Sequence, residues 1–167
     1  MKKVLLASVA LVLLASAMAF AAWMSNINHH CQVRVPDGWN TESEVIVKGG
    51  KQAHMVLAAP ENEPMVAAIF SMEVEQQIKL EDFKAIFESM VLKNPKIIDQ
   101  QNRGFNNLKG IYVTYEAEFD GTALKLICFF TQKDKYLYGV FTGTTKERFD
   151  DNKIKLEELF PSFQYIK

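Results

Sequence analysis

Two segments of this chain are apolar on both faces when they are read as β-strands. In Met65–Glu75 and again in Thr122–Gln132, the odd-numbered and the even-numbered positions both carry mainly apolar residues. A strand of this kind must be covered on both sides, because either face would otherwise leave apolar surface in water. The pattern therefore requires a layered fold, in which a central sheet has cover above and below.

Shorter signals predict that this sheet is antiparallel. Gly49-Gly50 and Asp120-Gly121 are two-residue sequences typical of tight hairpin turns. Lys109–Phe119 alternates apolar and polar residues, which is typical of a strand with one face toward solvent. Further strands are predicted at Cys31–Val35, Glu44–Lys48, Gln52–Ala59, Lys96–Phe105 and Tyr136–Thr142.

Two amphipathic helices are predicted to supply the cover. Leu80–Lys93 repeats apolar residues at the spacing of one helical face, and Pro95 follows its end. A second helix is predicted to begin at Thr144, which forms a capping box with Glu147, and to stop at Pro161. The predicted fold class is α+β: a three-layer α/β/α sandwich whose central antiparallel sheet has about six to eight strands and a helix on each face.

The N-terminus has the three parts of a secretory signal peptide. A positive start at Lys2 and Lys3 precedes an apolar stretch over residues 4–14 and then a run of small residues. Two A-x-A matches in that run predict cleavage before Phe20 or before Ala22. The alternative is an uncleaved membrane anchor, since the apolar segment as a whole is about as long as a bilayer is thick. The basic flank that usually follows such an anchor is missing.

These predictions divide the chain into a signal peptide at residues 1–21, an N-terminal tail at residues 22–29 and a single domain at residues 30–167. Without the signal, 17 basic residues face 20 acidic ones, so the net charge is −3. A weakly acidic protein is a poor partner for nucleic acid or for an anionic membrane surface. We expect an exported protein, periplasmic or secreted in a bacterium, with no stable membrane insertion after cleavage.

The two cysteines, Cys31 and Cys128, are a disulfide candidate. An even number of cysteines in an oxidising compartment favours a bridge, and each lies on the apolar side of its predicted strand. A bridge needs the two Cα atoms within about 7 Å, a distance that the sequence does not give. The alternative of two separate buried thiols therefore stays open.

The histidines are a weak candidate for a metal site. His29, His30 and His54 have side chains that can ligate a transition metal. The spaced ligand pairs of zinc sites are missing, and neighbouring residues on a strand point to opposite faces. The favoured interpretation is that these are ordinary solvated side chains, and we expect no metal and no other cofactor.

Four aromatic residues are weak candidates for a binding groove, because tryptophan and tyrosine dominate many binding surfaces. The favoured alternative is that they pack in the core with their polar tips at the rim. These residues are Trp39, Tyr112, Tyr136 and Tyr138.

No catalytic motif occurs in the sequence. Glycine-rich phosphate loops, the G-x-S-x-G nucleophile turn and the H-E-x-x-H zinc motif are all missing. A thiol enzyme would need an exposed, activated cysteine, whereas Cys31 and Cys128 lie in apolar patterns that make a thiol inert. We therefore expect a protein that is not an enzyme, with no catalytic residue to assign.

Three features together resemble the PsbP-like family, which is named for an extrinsic subunit of photosystem II and has exported bacterial relatives of the DcrB type. A first strand runs into Val35-Pro36-Asp37-Gly38-Trp39, a helix lies in the middle of the chain, and the last helix ends in Pro161-Ser162-Phe163. The resemblance covers residues 29–167 and implies the same α/β/α sandwich. It also implies an accessory or binding role without catalysis. No binding motif is matched, so no site residue carries over from the family.

The leading functional hypothesis is an exported, non-enzymatic accessory or binding protein that assists an envelope protein partner. A carrier of a small molecule or a metal is the alternative, and it requires a pocket that gathers polar groups. A thiol-dependent enzyme is the third hypothesis, and it requires an exposed reactive cysteine.

Overall fold

The computed structural model describes residues 20–166 of the chain. The positive start and the apolar stretch of the signal peptide lie outside these residues, so the signal, its cleavage and the domain boundaries drawn from it stay predictions.

Within the described residues, ten strands form two antiparallel sheets. The strands are β1 (Phe20–Asn26), β2 (Cys31–Pro36), β3 (Asn40–Lys48), β4 (Lys51–Ala59), β5 (Met65–Glu73), β6 (Lys93–Phe105), β7 (Leu108–Phe119), β8 (Thr122–Lys133), β9 (Tyr136–Thr144) and β10 (Gln164–Tyr165). The small sheet has the strand order β1-β2-β10, and the large sheet has the order β3-β4-β5-β9-β8-β7-β6.

Both predicted hairpin turns are confirmed. Gly49 and Gly50 join β3 to β4 with φ angles of 59° and 75°, and Gly121 follows Asp120 between β7 and β8 with a φ of 75°. Positive φ angles at both central positions match the twist of the flanking strands, and glycine adopts them at the lowest cost.

Helix α1 (Leu80–Val91) covers one face of the large sheet. Its buried side chains, Phe83 and Phe87, pack against the aromatic residues that the central strands present to them. The ring of Phe87 lies 5.4 Å from that of Phe70, 5.2 Å from Phe130 and 5.3 Å from Phe141, measured between centroids. One helix therefore closes this face because it inserts two large rings between three others.

The other face of the large sheet is covered mainly by the small sheet. Cys31, Val33 and Val35 of β2 are fully buried, whereas Gln32 and Arg34 point away from the core. Helix α2 (Lys146–Glu157), a short 3₁₀ turn (Phe160–Ser162) and β10 complete this cover. The second layer therefore combines segments from both ends of the described chain.

The predicted three-layer α/β/α sandwich is wrong, because the described chain is mainly β and has a second sheet where a helical layer was expected. Strand β2 was expected to belong to the central sheet, and β1 lies partly in the predicted N-terminal tail. The physical reason is that a strand with one buried face shows the same alternation of apolar and polar residues whether it lies at the border of the central sheet or in a second sheet above it.

The starts and ends of the helices also differ from their predictions. Helix α2 has Thr145 as its N-cap residue, whereas the predicted N-cap was Thr144. The hydroxyl of Thr144 instead donates a 2.8 Å hydrogen bond to the carbonyl oxygen of Pro64. Helix α1 ends at Val91 because the chain turns extended at Leu92 and enters β6. Neither described helix has the length and apolar composition needed to cross a membrane.

Cys31 and Cys128 do not form the candidate disulfide. Both are free buried thiols, and they belong to clusters on opposite faces of the large sheet. Burial raises the pKa of Cys31 to about 12 and raises that of Cys128 well above its ordinary value. The open alternative of two separate buried thiols describes the structure, and neither thiol is an activated nucleophile.

The positions of the cysteines predict a thiol titration. The folded protein should show no reactive thiol, and the unfolded protein should show both, with or without prior reduction. The measurement is titration with a thiol reagent before and after denaturant is added. An unfolded, unreduced sample that gave no thiol would mean that Cys31 and Cys128 are bridged.

The aromatic cluster under α1 predicts a large loss of stability on truncation. Phe87→Ala removes a fully buried ring, so it should lower the free energy of unfolding by about 3–5 kcal/mol. Ile154→Ala is the control, because Ile154 on α2 is 77% exposed and its truncation should change stability by less than about 0.5 kcal/mol. Denaturant unfolding measures both, and similar losses for the two variants would contradict this packing.

Candidate functional site

A row of polar side chains crosses the large sheet beneath the small sheet. His54 on β4, Ser71 on β5, Tyr138 on β9 and Thr131 on β8 lie directly opposite one another in register. Ser71 and Thr131 are almost completely buried, although the neighbouring positions on this face of the sheet are apolar. Buried polar groups of this kind need hydrogen-bond partners, because an unpaired polar group in the core costs stability.

Thr131 donates to the carbonyl oxygen of Lys109 on β7 over 3.0 Å, and the segment that joins β1 to β2 supplies partners for Ser71 and Tyr138. The side-chain amide of Asn26 donates to Ser71 Oγ over 2.9 Å, and His29 Nδ1 lies 2.8 Å from the same oxygen. The Tyr138 hydroxyl donates to the carbonyl oxygen of His29 over 2.8 Å, and Asn26 Oδ1 accepts from the His29 backbone N–H. These bonds fix the turn of the small sheet over one end of the large sheet.

The same turn brings the histidines together. The rings of His29 and His54 lie 4.5 Å apart between centroids, and the ring of Tyr136 lies 5.3 Å from His29 and 5.7 Å from His30. Burial, and then the charge of His54, lower the pKa of His29 to about 4. His29 is therefore a neutral, hydrogen-bonded ring at neutral pH.

An ion pair between Glu73 and Lys135 borders the histidines at the solvent edge. The hydrogen bond from Lys135 lowers the pKa of the Glu73 carboxyl, and the same bond raises the pKa of Lys135. The carboxylate of Glu73 favours the charged form of His29, but burial and His54 outweigh it. This end of the sheet therefore carries charge at the rim and neutral polar groups inside.

A groove opens between the β1–β2 turn and strand β3. Its volume is about 480 Å³, and it is lined by Ser25–Asn28, Ser43–Val45 and His54–Val56. Ile27 is 75% exposed and Val45 is 53% exposed at its rim, and His54 is half-buried among the residues that line it. We call this feature the edge groove, because it runs beside the outermost strand of the sheet.

The structure brings the three candidate metal ligands into one neighbourhood without making a metal site of them. His29 uses Nδ1 toward Ser71, and His30 lies in the exposed turn with a φ of 53°. Across residues 20–166, no three histidine, cysteine or carboxylate side chains are arranged to hold a metal ion. A metal-carrying role therefore stays a prediction without support from these contacts.

The four aromatic candidates are only partly brought together. Tyr136 and Tyr138 lie 6.3 Å apart beside the histidines. Tyr112 is buried, and its hydroxyl donates a 2.5 Å hydrogen bond to Glu157 on α2. Trp39 is half-buried and packs against the apolar cluster under the small sheet. Burial raises the pKa of Tyr112 and of Tyr138, so both hydroxyls stay neutral donors.

Sequence reasoning missed Asn26, Ser71 and Ile27. Ser71 did carry a signal, because it is the polar residue on the face that Met65 and Ile69 make apolar in β5. Asn26 and Ile27 had no local signal, since their roles depend on strands that come later in the chain.

A larger cleft of about 840 Å³ lies where α1 begins, near the end of β6 and the start of β7. Its charged lining residues are Lys79, Glu81, Arg103 and Lys109. It is an open surface depression whose lysines are exposed. The edge groove, in contrast, adjoins a buried and hydrogen-bonded polar cluster.

The two sheets, with α1 on one side and the small sheet on the other, define a PsbP-like fold. The structure is similar to the solution structure of cyanobacterial PsbP (CyanoP) from Synechocystis sp. PCC 6803, with a TM-score of 0.64 and 15% sequence identity over 89% of this chain and 94% of that chain. This similarity confirms the fold resemblance inferred from the sequence.

A protein of unknown function from Pseudomonas aeruginosa is similar more loosely, with a TM-score of 0.46 and 12% identity over 82% of this chain and 91% of that chain. No family model and no curated protein sequence matches the chain. A relationship to DcrB-type proteins stays a prediction.

The lowered pKa of His29 predicts how stability changes with pH. The unfolded chain binds a proton on His29 near its ordinary pKa of 6.5, but the folded protein binds it only near 4. Stability should therefore fall by about 1–3 kcal/mol as the pH drops through this interval. The measurement is chemical denaturation at several pH values between 7 and 4.

Two variants isolate this contribution. His29→Asn keeps a polar group near Ser71 without titrating, so its stability should fall less over the same interval. His30→Asn is the control and should follow the wild type, because asparagine tolerates the left-handed backbone of the exposed His30. Parallel profiles for all three proteins would show that His29 does not carry the effect.

Proposed function

We propose that this chain is an exported, non-enzymatic accessory protein that binds a protein partner of the envelope through the edge groove. The observation that carries the proposal is the exposure of Ile27 and Val45 on either side of a half-buried histidine. Apolar side chains around a few fixed polar groups are typical of a binding site. The resemblance to PsbP-like proteins adds support by analogy, since accessory roles are expected of that family.

The chemistry of the groove indicates what it binds. Ile27 and Val45 offer apolar contact to an inserted side chain, and His54 with the polar residues of the turn offers hydrogen bonds. The β1–β2 turn is fixed by Asn26 and His29, so little ordering is needed when a partner binds. These properties favour an extended protein segment that inserts an apolar side chain.

The alternative function, a small-molecule or metal carrier, has less support. The larger cleft is open and gathers no buried polar group, and the histidines are engaged with one another and with Ser71. The third hypothesis, a thiol-dependent enzyme, is opposed by burial of Cys31 and Cys128.

A matched pair of variants tests the proposal. Ile27→Asp places a charge at the rim of the groove, whereas Ile154→Asp places the same charge on α2 at a residue of nearly equal exposure, 77% against 75%. Wild type and both variants are immobilised and exposed to envelope extract of the source bacterium, and the captured proteins are quantified.

We expect the wild type and Ile154→Asp to capture the same protein in similar amounts. Ile27→Asp should capture at least about tenfold less of it, because one buried apolar contact is lost. Equal retention by the two variants would exclude the groove as the binding site. Turnover of a substrate by the purified wild type would contradict the non-enzymatic role.

A further inference from the structure

The two edges of the large sheet differ in how open they are. Strand β6 has irregular register between Lys93 and Lys96 and again between Ile97 and Asp99, and Pro95 removes one backbone donor. Bulges and proline are devices that prevent a sheet edge from pairing with another chain. Strand β3 has neither: all nine residues of Asn40–Lys48 pair with β4 in one unbroken register.

The free backbone groups of β3 belong to its odd-numbered residues. Because a two-residue turn joins Lys48 to Lys51, these two residues form a hydrogen-bonded pair, and every second pair along the hairpin does the same. The even-numbered residues of β3 therefore bond to β4. Residues 41, 43, 45 and 47 direct their N–H and C=O groups outward, where another strand can accept and donate.

We propose that two copies of this chain pair through β3, antiparallel and related by a two-fold axis at Val45, so that their two seven-stranded sheets become one. In this register each Val45 lies opposite Val45 of the second copy, and Ser43 lies opposite Val47. Glu42 lies opposite Lys48 of the second copy, and this pair occurs twice because of the symmetry. The outward groups of Val45 thereby form a hydrogen-bonded pair at the axis.

Competing registers are less favourable. An axis at Glu44 sets that carboxylate against its own copy, and an axis at Ser43 sets Glu42 against Glu44. Like charges directly opposite each other destabilise a strand pair, whereas opposite charges stabilise it. An axis at Ile46 sets Glu44 opposite Lys48 but pairs only residues 44–48 of each strand, whereas the axis at Val45 pairs residues 42–48. The register centred on Val45 is therefore the longest one that sets opposite charges against each other without like charges.

The exposed side chains of β3 are suited to this contact. Val45 is 53% exposed and Val47 is 69% exposed, on the face that also carries His54. Lys48 is held on the opposite face, where its ammonium group donates to the carbonyl oxygen of Ser89 at the end of α1. Val45 also lines the edge groove, so the two grooves of the dimer lie on either side of the axis.

A backbone test uses Val45→Pro. Proline at this position removes an outward N–H and leaves the bonds to β4 in place, so the protein should fold but no longer dimerise. Val45→Thr, which keeps the N–H and favours strands, is the control and should dimerise like the wild type. Strand-edge contacts are small, so sedimentation is measured up to about 100 μM protein, with circular dichroism as the check on folding.

A charge-exchange test fixes the register. Glu42→Lys and Lys48→Glu should each weaken the dimer several-fold, because each sets like charges against each other twice. The double variant restores opposite charges and should recover the wild-type dissociation constant within about threefold, because the effects of two directly opposed charges are coupled and do not add.

Three outcomes would overturn the proposal: a wild type that sediments as a monomer over the whole range, a folded Val45→Pro that still dimerises, or a double variant that is weaker than both single ones. Glu42 and Lys48 do not line the edge groove, so the charge-exchange variants separate a failed dimer from a failed partner interaction, whereas Val45 belongs to both surfaces.

Discussion

Burial of both faces of the large sheet is the constraint on which the rest of the structure depends. Eight of the nine residues of β5 are buried, and so are eight of the nine residues of β9. Helix α1 covers one face with two phenylalanine rings. Helix α2 covers part of the other face, and the small sheet covers most of it. Since β10 from the end of the chain pairs with β2 near its beginning, the second layer forms only when both ends are in place.

The second layer is held by polar contacts as well as by apolar ones. Ser71 in the middle of the large sheet has lost its contact with water, and Asn26 and His29 replace it. Without them, a buried hydroxyl would destabilise the core. The same bonds fix the turn whose exposed Ile27 forms one side of the edge groove. The groove is therefore a consequence of how the small sheet is attached, and its shape depends on a buried serine that does not line it.

The two surfaces proposed for binding are adjacent but use different chemistry. A partner in the edge groove would contact side chains on one face of the sheet, whereas a second copy would contact the backbone at the edge of β3. A fold of this kind supports many roles, so function depends on such local sites. Pairing of β3 would also protect a strand edge that otherwise offers free hydrogen-bonding groups to any extended chain.

Local patterns in the sequence determined the two tight hairpins, the apolar face of α1 and the need for cover on both sides of the central strands. They also indicated the PsbP-like fold through short motifs at Trp39 and Ser162-Phe163. They did not determine what the cover is, because the alternation of β2 suits a border strand and a separate layer equally well. The sequence showed the three histidines as candidate ligands, but it did not show their contacts. His29 and Ser71 are 42 positions apart and meet only when the two sheets pack together. The sequence by itself decided which faces had to be buried, since side-chain direction follows from the local backbone. Only the tertiary structure decided what lies against those faces, because that depends on contacts between distant segments.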